Sequence, residues 1–206
     1  MKFQIRTEDG LSILVKPMTE TVDELIEKLG NFNVYKSDYL KLTTEKRRLE
    51  FLNIRVGFNA LLGKDVLIMY NENGKPYISD SQWNISVSHS KKLIALAVHP
   101  SKTVGIDVEY FSDKVQRIYK RFLSPIEQEE LFSDNDTEKL MIVWSAKEAL
   151  YKIIGKEAVD FAQQLRIFPF EKKECGEIEA EHKPSLKRFN LNYSTTSEYL
   201  VVYCLA

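Results

Sequence analysis

Asp107 and Glu109 stand two apart in "TVGIDVEY", residues 103–110, where Val104, Ile106 and Val108 alternate with Thr103, Gly105, Asp107 and Glu109. In a strand, alternate residues share a face. One face is therefore apolar, and the other carries two acids beside a glycine that leaves open space. Each acid resists ionising next to the other. A hard cation removes that repulsion: Mg²⁺ takes one or two protein carboxylates and fills its other positions with water and phosphate oxygens. A solvated strand whose acids pair with lysines has the same pattern.

A second acid-bearing stretch is "TEKLMIVWSAKEALYKIIG", residues 137–155. Glu148 and Lys152 lie four apart and share a helix face with Trp144, while Met141 and Tyr151 flank it. Ile142, Val143, Ala146, Ala149, Leu150 and Ile153 make the rest apolar, so the helix is expected to be mostly buried. A charge in that surround needs a partner. Either Glu148 and Lys152 form an ordinary i,i+4 pair, or Glu148 supplies a third carboxylate with Lys152 facing phosphates or tuning the acid. Three further stretches carry polar chemistry. His89 ends a strand between two serines in "SVSHS", Lys75 follows a tight Asn73-Gly74 turn in "NGKPY", and "EKRRLEFLNIR" places Lys46, Arg47, Arg48 and Arg55 on one helix. Each reads as a structural or solvated feature as readily as a phosphate contact.

The elements that must position these residues can be read from period and punctuation. "FQIR" and "LSILV" form a hairpin around Asp9-Gly10, and "TVDELIEKLG" a short helix closed by Gly30. The basic stretch lies on a helix capped by Thr43 or Thr44 and ended by Gly63, with Leu49, Leu52, Val56 and Leu61 facing the core and Gly57 weakening its middle. "DVLIMY", "WNISVSHS", "LIALAV" and "TVGIDVEY" read as strands. "KVQRIYKRF" has Val115, Ile118, Tyr119 and Phe122 at helical spacing. "SPIE" is a capping box with proline at the first helical position, and the long helix runs from Thr137 to Ile154 and stops at Gly155. "LRIFPF", "LKRFNLNY" and "YLVVYCLA" are strands around a charged loop at 171–184. Without a strict β-α-β rhythm the class is α+β. Two similar halves are expected, 1–100 and 101–206.

With 206 residues, the chain can fold as one large domain or two small ones. A hydrophobic share of 44%, a charged share of 29% and a net charge of −1 give no global attraction to nucleic acid or membrane. Cys175 and Cys204 form no CxxC pair, which favours free thiols and a reducing compartment. No apolar run approaches membrane-spanning length, and the first ten residues have no apolar leader core. A soluble cytoplasmic protein is expected.

Taken in order, the stretches resemble the Sfp-type 4′-phosphopantetheinyl transferase superfamily. The family pattern runs from a basic helix through G-K-P, S-H-S and G-[IV]-D-[IVL]-E to W-[ST]-x-K-E-x-x-x-K. Here stand "GKP" at 74–76, "SHS" at 88–90, "GIDVE" at 105–109 and "WSAKEALYK" at 144–152. After the last motif this chain reads "IIGKEAVDF" where many relatives carry a glycine-rich stretch.

The resemblance implies a monomer of two pseudo-symmetric α+β subdomains packed around a central cleft. It implies Mg²⁺-dependent transfer of the phosphopantetheine arm of coenzyme A to a serine of an apo acyl or peptidyl carrier protein, releasing adenosine 3′,5′-bisphosphate, as in holo-[acyl-carrier-protein] synthases of fatty acid biosynthesis. Mn²⁺ is a permitted substitute. Asp107, Glu109 and Glu148 match the metal carboxylates. Glu148 also matches the group that helps deprotonate the serine, and Lys152 the lysine near the pyrophosphate. Lys75, Pro76, Ser88 and His89 match the coenzyme A site, His89 at the 3′-phosphate. On the basic helix Lys46 is favoured as a further 3′-phosphate contact, with Arg47 and Arg55 as neighbours. "KVQRIYKRFLS" is the candidate docking patch, with Arg117, Lys120 and Arg121 for carrier carboxylates and Phe122 and Leu123 for apolar side chains. An amphipathic helix with a solvated basic face reads the same way. A coenzyme A or nucleotide-binding module without turnover, and a Mg²⁺-dependent phosphodiesterase acting on coenzyme A, share most of these features.

Overall fold

The computed structural model describes residues 3–79, 81–155 and 159–206. Met1 and Lys2, at the start of the chain, and residues 156–158 of "IIGKEAVDF" lie outside the described residues. The chain is α+β and divides into two compact units, Met1–Ser101 and Lys102–Ala206.

In the first unit, β1 (Phe3–Arg6), β2 (Ser12–Pro17), β5 (Asn84–Ser90) and β6 (Leu93–His99) make an antiparallel sheet in the order β1-β2-β6-β5. A small hairpin joins β3 (Ile68–Tyr70) to β4 (Pro76–Ile78) through the expected turn. The basic stretch forms α3 (Glu45–Leu62), with the Thr44 hydroxyl accepting from the Arg47 amide and Gly63 ending it in the left-handed conformation. Ile54, Phe58 and Leu61 of α3 pack with Leu14, Ile94 and Leu96 of the sheet. Leu52 packs instead with Leu25 of α1 (Val22–Lys28), with Leu29 just after it, and with Tyr35 and Tyr39 of α2 (Phe32–Leu40). The helix is thus covered on two sides. Gly57 does more than weaken it: a Cβ there would run into the Leu96 side chain, so glycine permits the close approach to β6.

In the second unit, β7 (Val104–Tyr110) is the edge of a five-stranded antiparallel sheet, β7-β11-β10-β9-β8, with β8 (Leu165–Ile167), β9 (Cys175–His182), β10 (Lys187–Thr195) and β11 (Tyr199–Leu205). A four-residue helix, α6 (Phe161–Gln164), leads into β8. The long helix α5 (Thr137–Ile154) starts on Asp136, whose side chain accepts from the Lys139 amide, and ends on a left-handed Gly155. Ahead of it, α4 (Pro125–Phe132) carries the capping box of Ser124 and Glu127 and the proline in its first turn.

Several expectations change. Gly30 does not close α1 through a left-handed turn; the helix stops on Leu29. The segment Phe32–Leu40, unassigned from sequence, is helical. "KVQRIYKRF" is not an α-helix but two 3₁₀ turns, Asp113–Arg117 and Tyr119–Arg121. The charged loop at 171–184 contains β9, because Ile178, Ala180 and His182 face inward while Glu177 and Glu179 face out.

Candidate active site

The carboxylate corner is built by β7 and α5. Register pairs Gly105 with Cys204, Asp107 with Val202 and Glu109 with Leu200, and those β11 residues belong to the core cluster that also holds α5. The face bearing both acids is therefore the one α5 covers. The space beside Gly105 is not open. A Cβ there would collide with the Ala149 carbonyl of α5, so glycine lets the helix backbone lie directly on the strand. This brings Lys152 over β7, where its ammonium donates to Ile106 O at 2.6 Å and to Asp107 Oδ1 at 2.9 Å. The lysine is thus held on Asp107, one element away, rather than serving simply as an i,i+4 partner of Glu148.

Glu148 lies on the same side of α5 with its carboxyl pushed up to about 7, first by burial and then by the negative charges of Asp107 and Glu109, with Lys152 opposing. The two strand acids and the helix acid are close enough to feel one another. Beside Glu148 opens a recess of about 540 Å³ lined by Ile118, Arg121, Phe122, Trp144, Val159, Asp160 and Phe161. Trp144 meets Phe122 at 5.1 Å and Phe161 at 5.8 Å between ring centres, which gives the recess aromatic walls. A carboxyl titrating near neutrality beside an apolar recess is suited to take a proton from a bound hydroxyl.

The donor set also suits a hard divalent cation in kind: three carboxylates, all oxygen, against one lysine. Among the described residues no three His, Cys, Asp or Glu side chains are gathered into a coordination group, and Lys152 is the cation standing on Asp107.

Lys147, the other lysine of "WSAKEALYK", points away from this corner. It is fully buried, and its ammonium donates to Glu127 Oε2 at 2.8 Å and to the carbonyls of Phe122, Phe161 and Leu165 at 2.6, 3.0 and 3.0 Å. Glu127 in turn accepts from the Ile167 amide, the Ser124 amide and the Ser124 hydroxyl. Burial lowers Lys147 to about 8 despite the Glu127 charge. The pair ties α4, α5, α6 and β8 together. Its acid was read from the sequence only as part of a helix cap.

In the first unit a second recess, of about 350 Å³, brings Arg47, Gly74, Pro76 and His89 together with Leu42, Glu50, Phe51, Ile54, Tyr70 and Val87. Lys46 joins through Glu50, at 3.7 Å. Ser88 is buried in β5, and the Lys75 backbone amide donates to Asn71 Oδ1, fixing the turn that carries its side chain. Glu50 was missed; its signal was its place three and four residues after Arg47 and Lys46, a pattern that usually marks an exposed pair.

Two site expectations are corrected. Arg55 is buried at 2% exposure, its guanidinium 3.2 Å from the centre of the Phe51 ring and 4.5 Å from that of Tyr35, with Nη1 donating to Phe51 O. It holds α3 against α2 and is not presented to a phosphate. Phe122 and Leu123 are each 1% exposed in the core of the second unit, so they cannot form the apolar half of a docking patch. The 3₁₀ turns draw them inward while Arg117, Lys120 and Arg121 stay exposed.

Fold and site define the class: an antiparallel α+β protein in which a glycine-bearing edge strand and a long helix make a carboxylate corner. The comparisons give the family. Residues 103–204 match the model of the 4′-phosphopantetheinyl transferase superfamily. A 4′-phosphopantetheinyl transferase of Bacillus subtilis is 35% identical over 145 residues, covering 66% of this chain and 61% of that protein. The 4′-phosphopantetheinyl transferase HetI of Nostoc sp. strain PCC 7120 is 36% identical over 95 residues, 42% of this chain and 40% of that protein. The chain thus spans about three fifths and two fifths of these relatives' lengths. The superfamily that the motifs resemble is thus the one whose model residues 103–204 match.

Proposed function

We propose that the protein transfers the 4′-phosphopantetheine arm of coenzyme A to a serine hydroxyl of an apo acyl or peptidyl carrier protein. The serine oxygen bonds to the phosphorus that carries the arm, the pyrophosphate P–O bond breaks, and adenosine 3′,5′-bisphosphate leaves. The observation that carries this reading is the half-buried Glu148, with its carboxyl near 7 and facing the charges of Asp107 and Glu109 beside an aromatic recess. Those three acids are the residues that would hold Mg²⁺, or Mn²⁺ in its place. Such an ion supplies Lewis-acid stabilisation of the pyrophosphate.

The chain's own groups do the rest. Glu148 accepts the serine proton, directly or through water. Lys152, fixed by Ile106 O and Asp107, places positive charge where the pyrophosphate charge grows. We assign the coenzyme A phosphates to Lys46, Arg47, Lys75 and His89, with Pro76 shaping the turn and Ser88 supporting the end of β5. Exposed Arg117, Lys120 and Arg121 are the basic groups for an acidic carrier. We further place the protein in the cytoplasm as a monomer. Free Cys175 and Cys204 support the reducing compartment.

The test is direct. Purified protein, coenzyme A, Mg²⁺ and an apo carrier protein are mixed and intact mass is read. A carrier heavier by one phosphopantetheine arm is the expected result. Consumption of coenzyme A with the carrier unmodified would indicate hydrolysis, and binding without either product a module without turnover.

A further inference from the structure

Glu50 is the unusual member of the first unit's recess. Its side chain is 4% exposed, yet the cations that turn to it, Lys46 and Arg47, are 66% and 63% exposed. Arg47 Nη1 stands 3.0 Å from Oε2, Lys46 Nζ 3.7 Å from Oε1, and His89 Nδ1, arriving from β5, 3.5 Å from Oε1. Groups suited to an incoming oxyanion are thus already arranged around an oxyanion of the protein's own.

We propose that Glu50 is an internal counter-charge that sets how strongly this recess selects a terminal phosphate monoester, and that it weakens the preference for coenzyme A over 3′-dephospho-coenzyme A. The inference rests on the reading of the recess as the seat of that phosphate. Two effects oppose each other. Glu50 orients the cations, which helps an anion bind, and it cancels their charge, which hinders it. Orientation is the smaller effect, because Lys46 and Arg47 are mostly solvated and Arg47 spends one N–H on Glu50, leaving its other donors for a second anion. Charge is the larger effect. A carboxylate about 6 Å from a phosphate charge, at the effective dielectric of a half-exposed site, changes its binding about tenfold or more.

The experiment measures, by calorimetry, the dissociation constants of coenzyme A and 3′-dephospho-coenzyme A for the wild type, Glu50→Gln and Arg47→Ala, with folding checked by circular dichroism. Glu50→Met, which keeps the length and removes all polarity, carries the same expectation should Glu50→Gln fold poorly. The ratio favouring coenzyme A is expected to rise about tenfold on losing the Glu50 charge and to fall in Arg47→Ala. A ratio unchanged or lowered in the folded Glu50 variants, with Arg47→Ala still lowering it, overturns the counter-charge and leaves the phosphate seat standing. A ratio that neither Arg47→Ala nor the Glu50 variants move overturns the phosphate seat itself, and the counter-charge with it.

Discussion

Each unit has an 18-residue helix ended by a left-handed glycine, and each helix carries a glutamate removed from bulk water, but the two acids live in opposite fields. Glu50 on α3 is met by Lys46, Arg47 and His89. Glu148 on α5 is met by Asp107 and Glu109, with Lys152 as the opposing charge. The first arrangement sets cations around the acid; the second leaves a carboxyl that is costly to ionise and therefore ready to hold a proton or a cation. Burial alone does not decide what a glutamate does. The sign of the neighbouring charges does: Lys46 and Arg47 of its own helix meet Glu50, whereas β7 brings two acids to Glu148 on α5.

The strongest way to break this contrast is to neutralise the reactive acid. Glu148→Gln should cut carrier modification by about a thousandfold with the fold retained, read by intact mass over time. Near-normal turnover would remove Glu148 from the chemistry. Next in size is the pair behind the corner. Lys147→Met strands Glu127 in the core and should cost about 3–4 kcal/mol in denaturant unfolding, whereas Lys147→Met with Glu127→Leu should recover much of that loss. A double variant no more stable than the single one would mean the pair's carbonyl contacts matter more than its charges.

A third prediction uses pH. Because Glu148 is raised from 4.5 to about 7 in the fold, its protonated form favours folding. In metal-free protein that contribution is complete below about pH 4.5 and is lost as pH rises through about 7. Wild type and Glu148→Gln should therefore diverge across that window, the variant gaining about 3 kcal/mol relative to wild type by pH 8. Parallel stability curves would contradict the raised carboxyl. The smallest effect belongs to the other glutamate's rim: Lys46→Ala removes a solvated pair and should change stability by only about 0.5 kcal/mol.

How much of this was legible in the sequence depends on whether one residue's signal could stand alone. The helix α5 was readable because its apolar period and its Gly155 stop agree. Strand alternation put Asp107 and Glu109 on one face and helix spacing put Glu148 with Lys152 on another, but only the family resemblance joined the three acids into a set. The role of Gly105 was read in the wrong sense: absence of a side chain looked like vacant space, and the fold filled it with the Ala149 carbonyl. The strand β9 was hidden because Glu177, Glu179 and Glu181 supply the polar half of its alternation, and a run of acids resembles a solvated loop. Val115, Ile118 and Phe122 fit a 3₁₀ path as well as an α-helix, and only packing chose between them. Arg55 was misassigned because residue type announces charge, whereas its Phe51 and Tyr35 neighbours, which turn it into a packing residue, come from an i−4 contact and a separate helix.

The central claim, that a strand and a helix bring three acids to one corner, is tested most directly by carboxyl-carbon NMR titration of Glu148 in metal-free protein, with and without Asp107→Asn. The account predicts a midpoint near 7 that falls toward the ordinary glutamate range when the Asp107 charge is removed. A midpoint near 4.5 in the wild type, unmoved by the substitution, would contradict it.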